Sequence, residues 1–349
     1  MQRRESPRRP VLALVLALAP LPLLGASCEA GAGQERNRFS TDAAAIEQAI
    51  AERKVRAEAG DIPSMLELGA SYFDGRNVER SLTDAAHWYG MAADAGSSDG
   101  QFSMGVSYEQ GLGVAPNMEE AIRWYAKAAE QNNPKAMNNL GLILLEGRSV
   151  VQDDVQAYRM LEGAASQGIL ASICALGRMK SLGRGVPADP EGAARDFQTA
   201  ADLGLPQAQF FLAAAYQRGE GVPKDEVKAT AWLELAASQD YSEAQAQLGA
   251  MLARGTETMP PNPDRAALLL TAAANAGVPS AQRNLGLLYL RGLGVGKDAQ
   301  AALKWYEVAA RLGDEAAAER RDQLRAKMIE SELANVSASV DAWFAMYGK

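Results

Sequence analysis

From about residue 62 onward the apolar positions return with a long, fixed period. Leu68-Gly69 recurs as Met104-Gly105, Leu140-Gly141, Leu176-Gly177, Leu212-Ala213, Leu248-Gly249 and Leu285-Gly286, at intervals of 36 residues five times and then 37. A register held over seven copies marks an array of repeats, and the longer last interval places an insertion around Met259-Pro260-Pro261. Five residues before each anchor stands a small residue: Ser64, Gly100, Ala136, Ser172, Ala208, Ala244 and Ala281. Three residues after it stand Tyr72, Tyr108, Leu144, Lys180, Tyr216, Leu252 and Tyr289. These offsets fall on one face of a helix. The small residues admit a neighbouring helix, and the large ones fill the space beside it.

Each such helix ends in a turn, clearest in Gly111-Leu112-Gly113-Val114, Gly183-Arg184-Gly185-Val186, Gly219-Glu220-Gly221-Val222 and Gly292-Leu293-Gly294-Val295. A phosphate loop would need a preceding strand and a third glycine. Here glycine serves a helix C-cap and a tight turn. Twelve residues past the anchor, thirteen in the longer copy, come Ser81, Asn117, Asp153, Asp189, Asp225, Asn262 and Asp298. All seven are N-cap residues, so one structural job accounts for this row without metal or acid–base chemistry. The helix that follows carries Trp88-Tyr89, Trp124-Tyr125, Met160-Leu161, Trp232-Leu233, Leu269-Leu270 and Trp305-Tyr306, with Phe197 in the fourth copy. An alanine pair comes next, and then Gly96, Asn132, Gly168, Gly204, Asp240, Gly277 or Gly313 closes the helix. Each unit therefore predicts helix, tight turn, helix.

The composite of these positions, A-x-x-x-L-G-x-x-Y-x-x-G-x-G-V followed by D-x-x-x-A-x-x-W-Y-x-x-A-A-x-x-G, resembles the Sel1-like repeat, a relative of the tetratricopeptide repeat. The resemblance implies an all-α fold: an α-solenoid of about seven 36-residue helix-turn-helix repeats over residues 61–315, with helical caps. It also implies a scaffold for protein partners. Some relatives pin each repeat with a disulfide, and this chain lacks those cysteines. Residues 41–60 read as an N-terminal capping helix and 316–349 as a C-terminal capping helix and tail, the charged helix running from Glu315 to about Leu333. Solenoids need such polar-faced ends. Trp343, Phe344, Met346 and Tyr347 are expected to pack on the last repeat.

The first residues read as an address. Four arginines within residues 2–9 precede the short apolar run Val11–Leu24, which Pro20 and Pro22 interrupt. That is too short and broken for a spanning helix and fits a secretory signal peptide over residues 1–28. Leu24-Gly25-Ala26-Ser27-Cys28 resembles a bacterial lipobox with lipidation at Cys28. Cleavage after Ala32 is the alternative. Residues 29–40 are polar and small and read as a flexible tether. These features predict an exported protein of the periplasm or outer-membrane-anchored envelope, its only membrane contact an N-terminal lipid.

Composition narrows the chemistry. The 349 residues carry 35 basic and 43 acidic side chains, a net charge of −8. That excludes a basic nucleic-acid-binding surface. One histidine, His87, and two cysteines, Cys28 and Cys174, cannot assemble a zinc site. No cofactor is expected, and no catalytic constellation stands out. Binding is expected on the first helix of each repeat, three and two residues before the anchor and one after it. These positions hold Leu66, Phe102, Asn138, Asn139, Arg178, Phe210, Phe211, Gln247, Arg283 and Asn284. Amides at successive steps can pair with an extended peptide backbone while phenylalanines anchor apolar groups. A protein or peptide partner is the first expectation, and cell-wall glycan or exopolysaccharide the alternative.

Overall fold

The computed structural model describes residues 32–348, where there are 17 α-helices and no strand. They belong to two bodies that divide between Glu52 and Arg53. The first holds the leading part of α1 (Ala32–Glu58), in which Gln48 Nε2 donates to Glu52 Oε1 at 2.9 Å. Residues 32–40, expected as tether, are therefore helical. A single glycine, Gly33, precedes Gln34, Glu35 and Arg36, all good helix formers that extend the helix. The signal peptide and Cys28 lie outside the described residues.

The second body opens with the last turns of α1. Ala57 is fully buried. Arg53 pairs with Glu67 of α2 at 2.7 Å, and the Lys54 ammonium lies 5.5 Å from the centre of the Tyr72 ring. Seven helix pairs follow: α2 (Ile62–Asp74) with α3 (Leu82–Asp94), α4 (Ser98–Gln110) with α5 (Met118–Glu130), α6 (Pro134–Glu146) with α7 (Asp154–Ser166), and α8 (Leu170–Leu182) with α9 (Pro190–Asp202). Then come α10 (Pro206–Arg218) with α11 (Glu226–Ser238), α12 (Ser242–Arg254) with α13 (Pro263–Asn275), and α14 (Pro279–Arg291) with α15 (Ala299–Arg311). Each helix packs on the next in sequence, and α4 also meets α6 as α12 meets α14. The first helices thus form a row of their own. The array is an α-solenoid.

The cap residues act as the sequence predicts. The side chains of Ser81, Asn117, Asp153, Asp189, Asp225, Asn262 and Asp298 each accept from a backbone amide in the first turn of the second helix. Those amides would otherwise be unpaired. At the far end of these helices the backbone turns left-handed, at Asn132 and Asp240 (φ 60° and 59°) as well as at the glycines. The insertion is a longer turn after α12, closed by Met259 N donating to Thr256 Oγ1 at 3.1 Å.

The anchor glycine sets the spacing inside each pair. A Cβ on Gly105 would stand 2.5 Å from the Tyr125 ring, and one on Gly177 would stand 2.7 Å from Phe197. Second-helix rings therefore press against bare backbone, and Tyr125 is fully buried. Where the facing residue is Leu233, the anchor is Ala213, and both are fully buried. The second glycine of the turn joins one repeat to the one before. At Gly221, φ is 71° and a Cβ would stand 1.9 Å from the Pro190 carbonyl oxygen.

A row of buried glutamines adds polar stitching. Gln101, Gln209, Gln245 and Gln282 donate to the carbonyls of Ala93, Ala201, Ala237 and Ala274, each eight residues back. Each bond joins the end of one repeat to the start of the next. Gln131 then donates to Gln101 Oε1 at 2.8 Å, and Gln239 to Gln209 Oε1 at 2.9 Å. In the last repeat the corresponding position is Leu312, and the buried Oε1 of Gln282 accepts no hydrogen bond among the described residues. Leu312 is 37% exposed, so little packing is lost by changing it. Leu312→Gln is expected to stabilise the protein by about 1 kcal/mol, read as a higher urea midpoint. An unmoved midpoint would refute this account of the orphaned oxygen.

No hydrogen bond among the described residues joins positions more than 39 apart. The C-terminal end differs from expectation. In place of one helix to about Leu333, α16 (Glu315–Arg325) stops and α17 (Glu330–Tyr347) starts. Glu332 accepts from the Ile329 amide at 3.0 Å and so caps the new helix. The break turns the chain so that α17 packs on α15. Trp343 is buried with its ring centre 6.4 Å from that of Trp305.

Candidate functional site

The expected binding residues sit on the row of first helices, and they divide into two groups. Asn138, Asn139, Gln247 and Arg283 are half-buried and engaged within the chain. Ser172 Oγ donates to Asn138 Oδ1 at 2.8 Å, and Asn138 donates to Asn139 Oδ1 at 3.0 Å. Asn139 in turn donates to the Tyr125 hydroxyl at 3.1 Å. That hydroxyl donates to Glu109 at 2.7 Å, and Arg148 closes the chain of bonds on the other carboxylate oxygen at 2.8 Å. Burial, followed by the facing Glu109 carboxylate, pushes the Tyr125 phenol well above its ordinary pKa. Gln247 donates to Gln217 at 2.6 Å, and Arg283 pairs with Asp314, whose side chain is 9% exposed. These side chains tie neighbouring helices together. Part of the polarity that reads from sequence as a peptide-binding ladder therefore also serves the solenoid itself.

The second group is aromatic. Phe102 is half-buried, with its ring centre 5.9 Å from that of Tyr125. Phe211 and Phe210 come from adjacent positions of α10 and belong to a line of rings that runs from α9 to the residue before α12. Phe197 of α9 stacks on Phe211 at 5.4 Å, Phe211 meets Phe210 at 5.6 Å, and Phe210 meets Tyr241 before α12 at 5.5 Å. Phe197 is buried, and the other three are half-buried. The exposed Arg178 guanidinium lies over the Phe211 ring, 5.2 Å from its centre, a favourable cation–π placement.

Two recesses adjoin this line, one at Phe197 and Phe211 and the other at Phe210. One, of about 210 Å³, lies between α8, α9 and α10, with Leu182, Pro190, Phe197 and Phe211 in its wall and Arg178 and Arg218 on its rim. The other, of about 320 Å³, is more open and is lined by Phe210, Glu243, Gln247, Val278, Ser280 and Asn284. Asn284 thus faces a cleft beside Phe210 and Gln247.

Two residues of this region were missed by the sequence reading. Leu182 stands where the other repeats carry Asp74, Gln110, Glu146, Arg218, Arg254 and Arg291. Tyr241 stands where the first three repeats carry the capping residues Asp61, Ser97 and Asn133. Comparing each position across the seven copies singles out Leu182 as the one apolar residue at its position, whereas Tyr241 shares its position with the apolar Ile169, Leu205 and Val278 and stands out only as the one aromatic.

The remaining reactive groups are placed plainly. Cys174 is fully buried, and burial pushes its thiol up to about 12. His87 is exposed, edge-on to Trp88 at 5.2 Å. Among the described residues no three His, Cys, Asp or Glu side chains gather closely enough to hold a metal ion. No described helix is long and apolar enough to cross a membrane.

Comparison with known proteins follows the repeat boundaries. The pattern of the Sel1 repeat matches seven times, at residues 62–97, 98–133, 134–169, 170–205, 206–241, 242–278 and 279–314. The crystal structure of a Sel1 repeat protein from Oxalobacter formigenes is 30% identical and covers 84% of this chain and 91% of its own, with a TM-score of 0.64. That of c5321, a protective antigen present in uropathogenic Escherichia coli strains displaying an SLR fold, is 23% identical. It covers 86% of this chain and 88% of its own, with a TM-score of 0.52, a likeness of fold alone. The sequence matches none of the curated proteins it was compared with.

Proposed function

Because the chain belongs to the Sel1 repeat family, whose solenoids are protein-interaction scaffolds, typically without catalytic activity, we propose that it is a non-catalytic adaptor holding protein or peptide partners on its row of first helices. The observation that carries this reading is the line of rings from Phe197 through Phe211 and Phe210 to Tyr241, with one recess at Phe197 and Phe211 and another at Phe210. Partly exposed aromatics beside recesses are the usual anchors of protein interfaces. The partners are those of the bacterial cell envelope. The arginine-rich start and short apolar run of residues 2–24 support export, and the lipobox-like sequence at Cys28 supports a lipid anchor.

Two measurements test this. A photo-crosslinking amino acid at position 210, in the protein expressed in its own cells, is expected to give discrete protein adducts. The same group at the exposed Val227 of a second helix is expected to give none. Equal labelling at both positions would overturn the assignment of the face, and adducts that a glycosidase removes would replace the protein partner with a glycan. Intact mass of the membrane-extracted protein tests the address: a diacyl or triacyl mass starting at Cys28, lost in Cys28→Ala, is expected. An unmodified chain beginning near Gly33 would instead make the adaptor soluble.

A further inference from the structure

Repeats four and five depart from the other repeats at two points that meet in space. Leu182 is 64% exposed at a position that is otherwise charged or amide-bearing. Phe211 occupies a position that elsewhere holds Glu67, Ser103, Asn139, Ala175, Gln247 or Asn284. The other copies form the same helix pair without either side chain, although Phe211 also packs against the buried Phe197. Yet both line the recess of about 210 Å³. That space suits one large apolar side chain. Of the polar groups at its mouth, Arg218 is paired with Glu220 at 2.9 Å. Arg178 makes no ion pair or hydrogen bond among the described residues and lies over Phe211. A sugar would require several hydrogen-bonding groups converging on the recess, whereas its wall is mostly apolar, with Ser181 its one hydroxyl, and its one uncommitted charge is a guanidinium.

We propose that this recess is a docking site for an extended peptide segment of a partner protein, one that seats a Leu-, Met- or Phe-like side chain among Leu182, Pro190, Phe197 and Phe211 and pairs a neighbouring Asp or Glu with Arg178. The chain is acidic overall, at −8, so long-range attraction of an acidic segment is absent. The contact with Arg178 instead fixes the register, and the apolar side chain supplies most of the affinity. This inference rests on the peptide-binding reading and adds the site and the chemistry of its ligand.

The test uses the full chain and an array of nonapeptides blocked at both termini. Each peptide carries one acid and one large apolar residue, one to three positions apart, in an Ala/Ser/Gly background, and matched arrays replace the acid with Lys or the apolar residue with Ala. Selective binding of the acid-plus-apolar members is expected. Arg178→Glu should weaken it at least ~10-fold and shift the preference toward the Lys array. Leu182→Ser should weaken binding of every member ~5- to 10-fold with the circular-dichroism melt unchanged, since both side chains lie at the surface. Peptides that bind equally well to both variants, but not to Phe210→Ala, would overturn this site and leave the peptide-binding reading standing. No binding by any member would overturn both. A self-associated chain in sedimentation velocity that Leu182→Ser renders monomeric would assign the recess to a second copy and overturn the proposal, as would competition for the recess by a cell-wall oligosaccharide.

Discussion

Replacing Gly105 with alanine is expected to destabilise the protein by about 2–3 kcal/mol, whereas the same change at Gly141 costs under about 1 kcal/mol. At both positions glycine lies mid-helix, where alanine alone would be favourable by roughly 0.5–1 kcal/mol. The difference comes from the residue opposite. The new Cβ at Gly105 meets two atoms of the Tyr125 ring at 2.5 Å. That ring is planar, fully buried and held at its hydroxyl by Glu109 and Asn139, so it cannot step aside without breaking those bonds. At Gly141 the nearest atoms belong to Leu161, the closest at 2.8 Å, and leucine has rotamers to use. The fifth repeat already houses such a combination in Ala213 and Leu233, both fully buried. Urea denaturation of the two single variants decides the matter. Equal losses would mean that the aromatic rings do not set the requirement for glycine.

Stability is also expected to fall steeply above pH 9, far from the acid range where most proteins titrate apart. Burial raises the Cys174 thiol from 9.0 to about 12 and the Tyr89 phenol from 10.0 to about 12. Tyr125 and Tyr241 are raised as well, burial again leading. A raised acid is neutral in the fold and ionises first in the unfolded chain. Its stabilising effect is therefore complete below the unfolded pKa and disappears as pH climbs toward the folded one. For Cys174, fully buried, three units at 1.36 kcal/mol each amount to roughly 4 kcal/mol lost between pH 9 and 12, and the tyrosines add to the loss from pH 10. Urea midpoints at pH 8, 9, 10 and 11 should decline with increasing slope, and Cys174→Ala should flatten the part between pH 9 and 10. A midpoint constant to pH 11 would refute the burial argument.

How far the structure was legible depended on whether a residue acts alone or with a partner. Each N-cap residue, from Ser81 to Asp298, satisfies amides two or three positions away, and Gly96 or Asn132 closes its own helix. Such jobs leave the same residue type at the same phase, and the period exposes them. The role of Asn139 depends on Tyr125, 14 residues back, and on Glu109 beyond it. No phase signal carries that, so an amide already bonded within the chain looked like a free one. The glutamines at 101, 209, 245 and 282 were in phase and could have been seen, though not their carbonyl partners. The line of rings and its recess arise from departures from the repeat, at Phe211 and Leu182, and a consensus averages departures away. The break at residues 326–329 had no glycine or proline to announce it.

The ceiling of 39 residues on hydrogen-bond separation also bears on how the chain acquires its structure. Folding rates of small proteins fall as contacts join more distant positions, because long loops must close before they are rewarded. Here the loops to be closed in forming these bonds are about one repeat long, whatever the total length. Nucleation can begin at any pair of repeats and spread to either side by nearest-neighbour docking. A chain emerging from its N-terminus can therefore consolidate α2 through α5 while the rest is still being made. Its folding time should depend on the slowest interface between neighbours and not on the number of repeats.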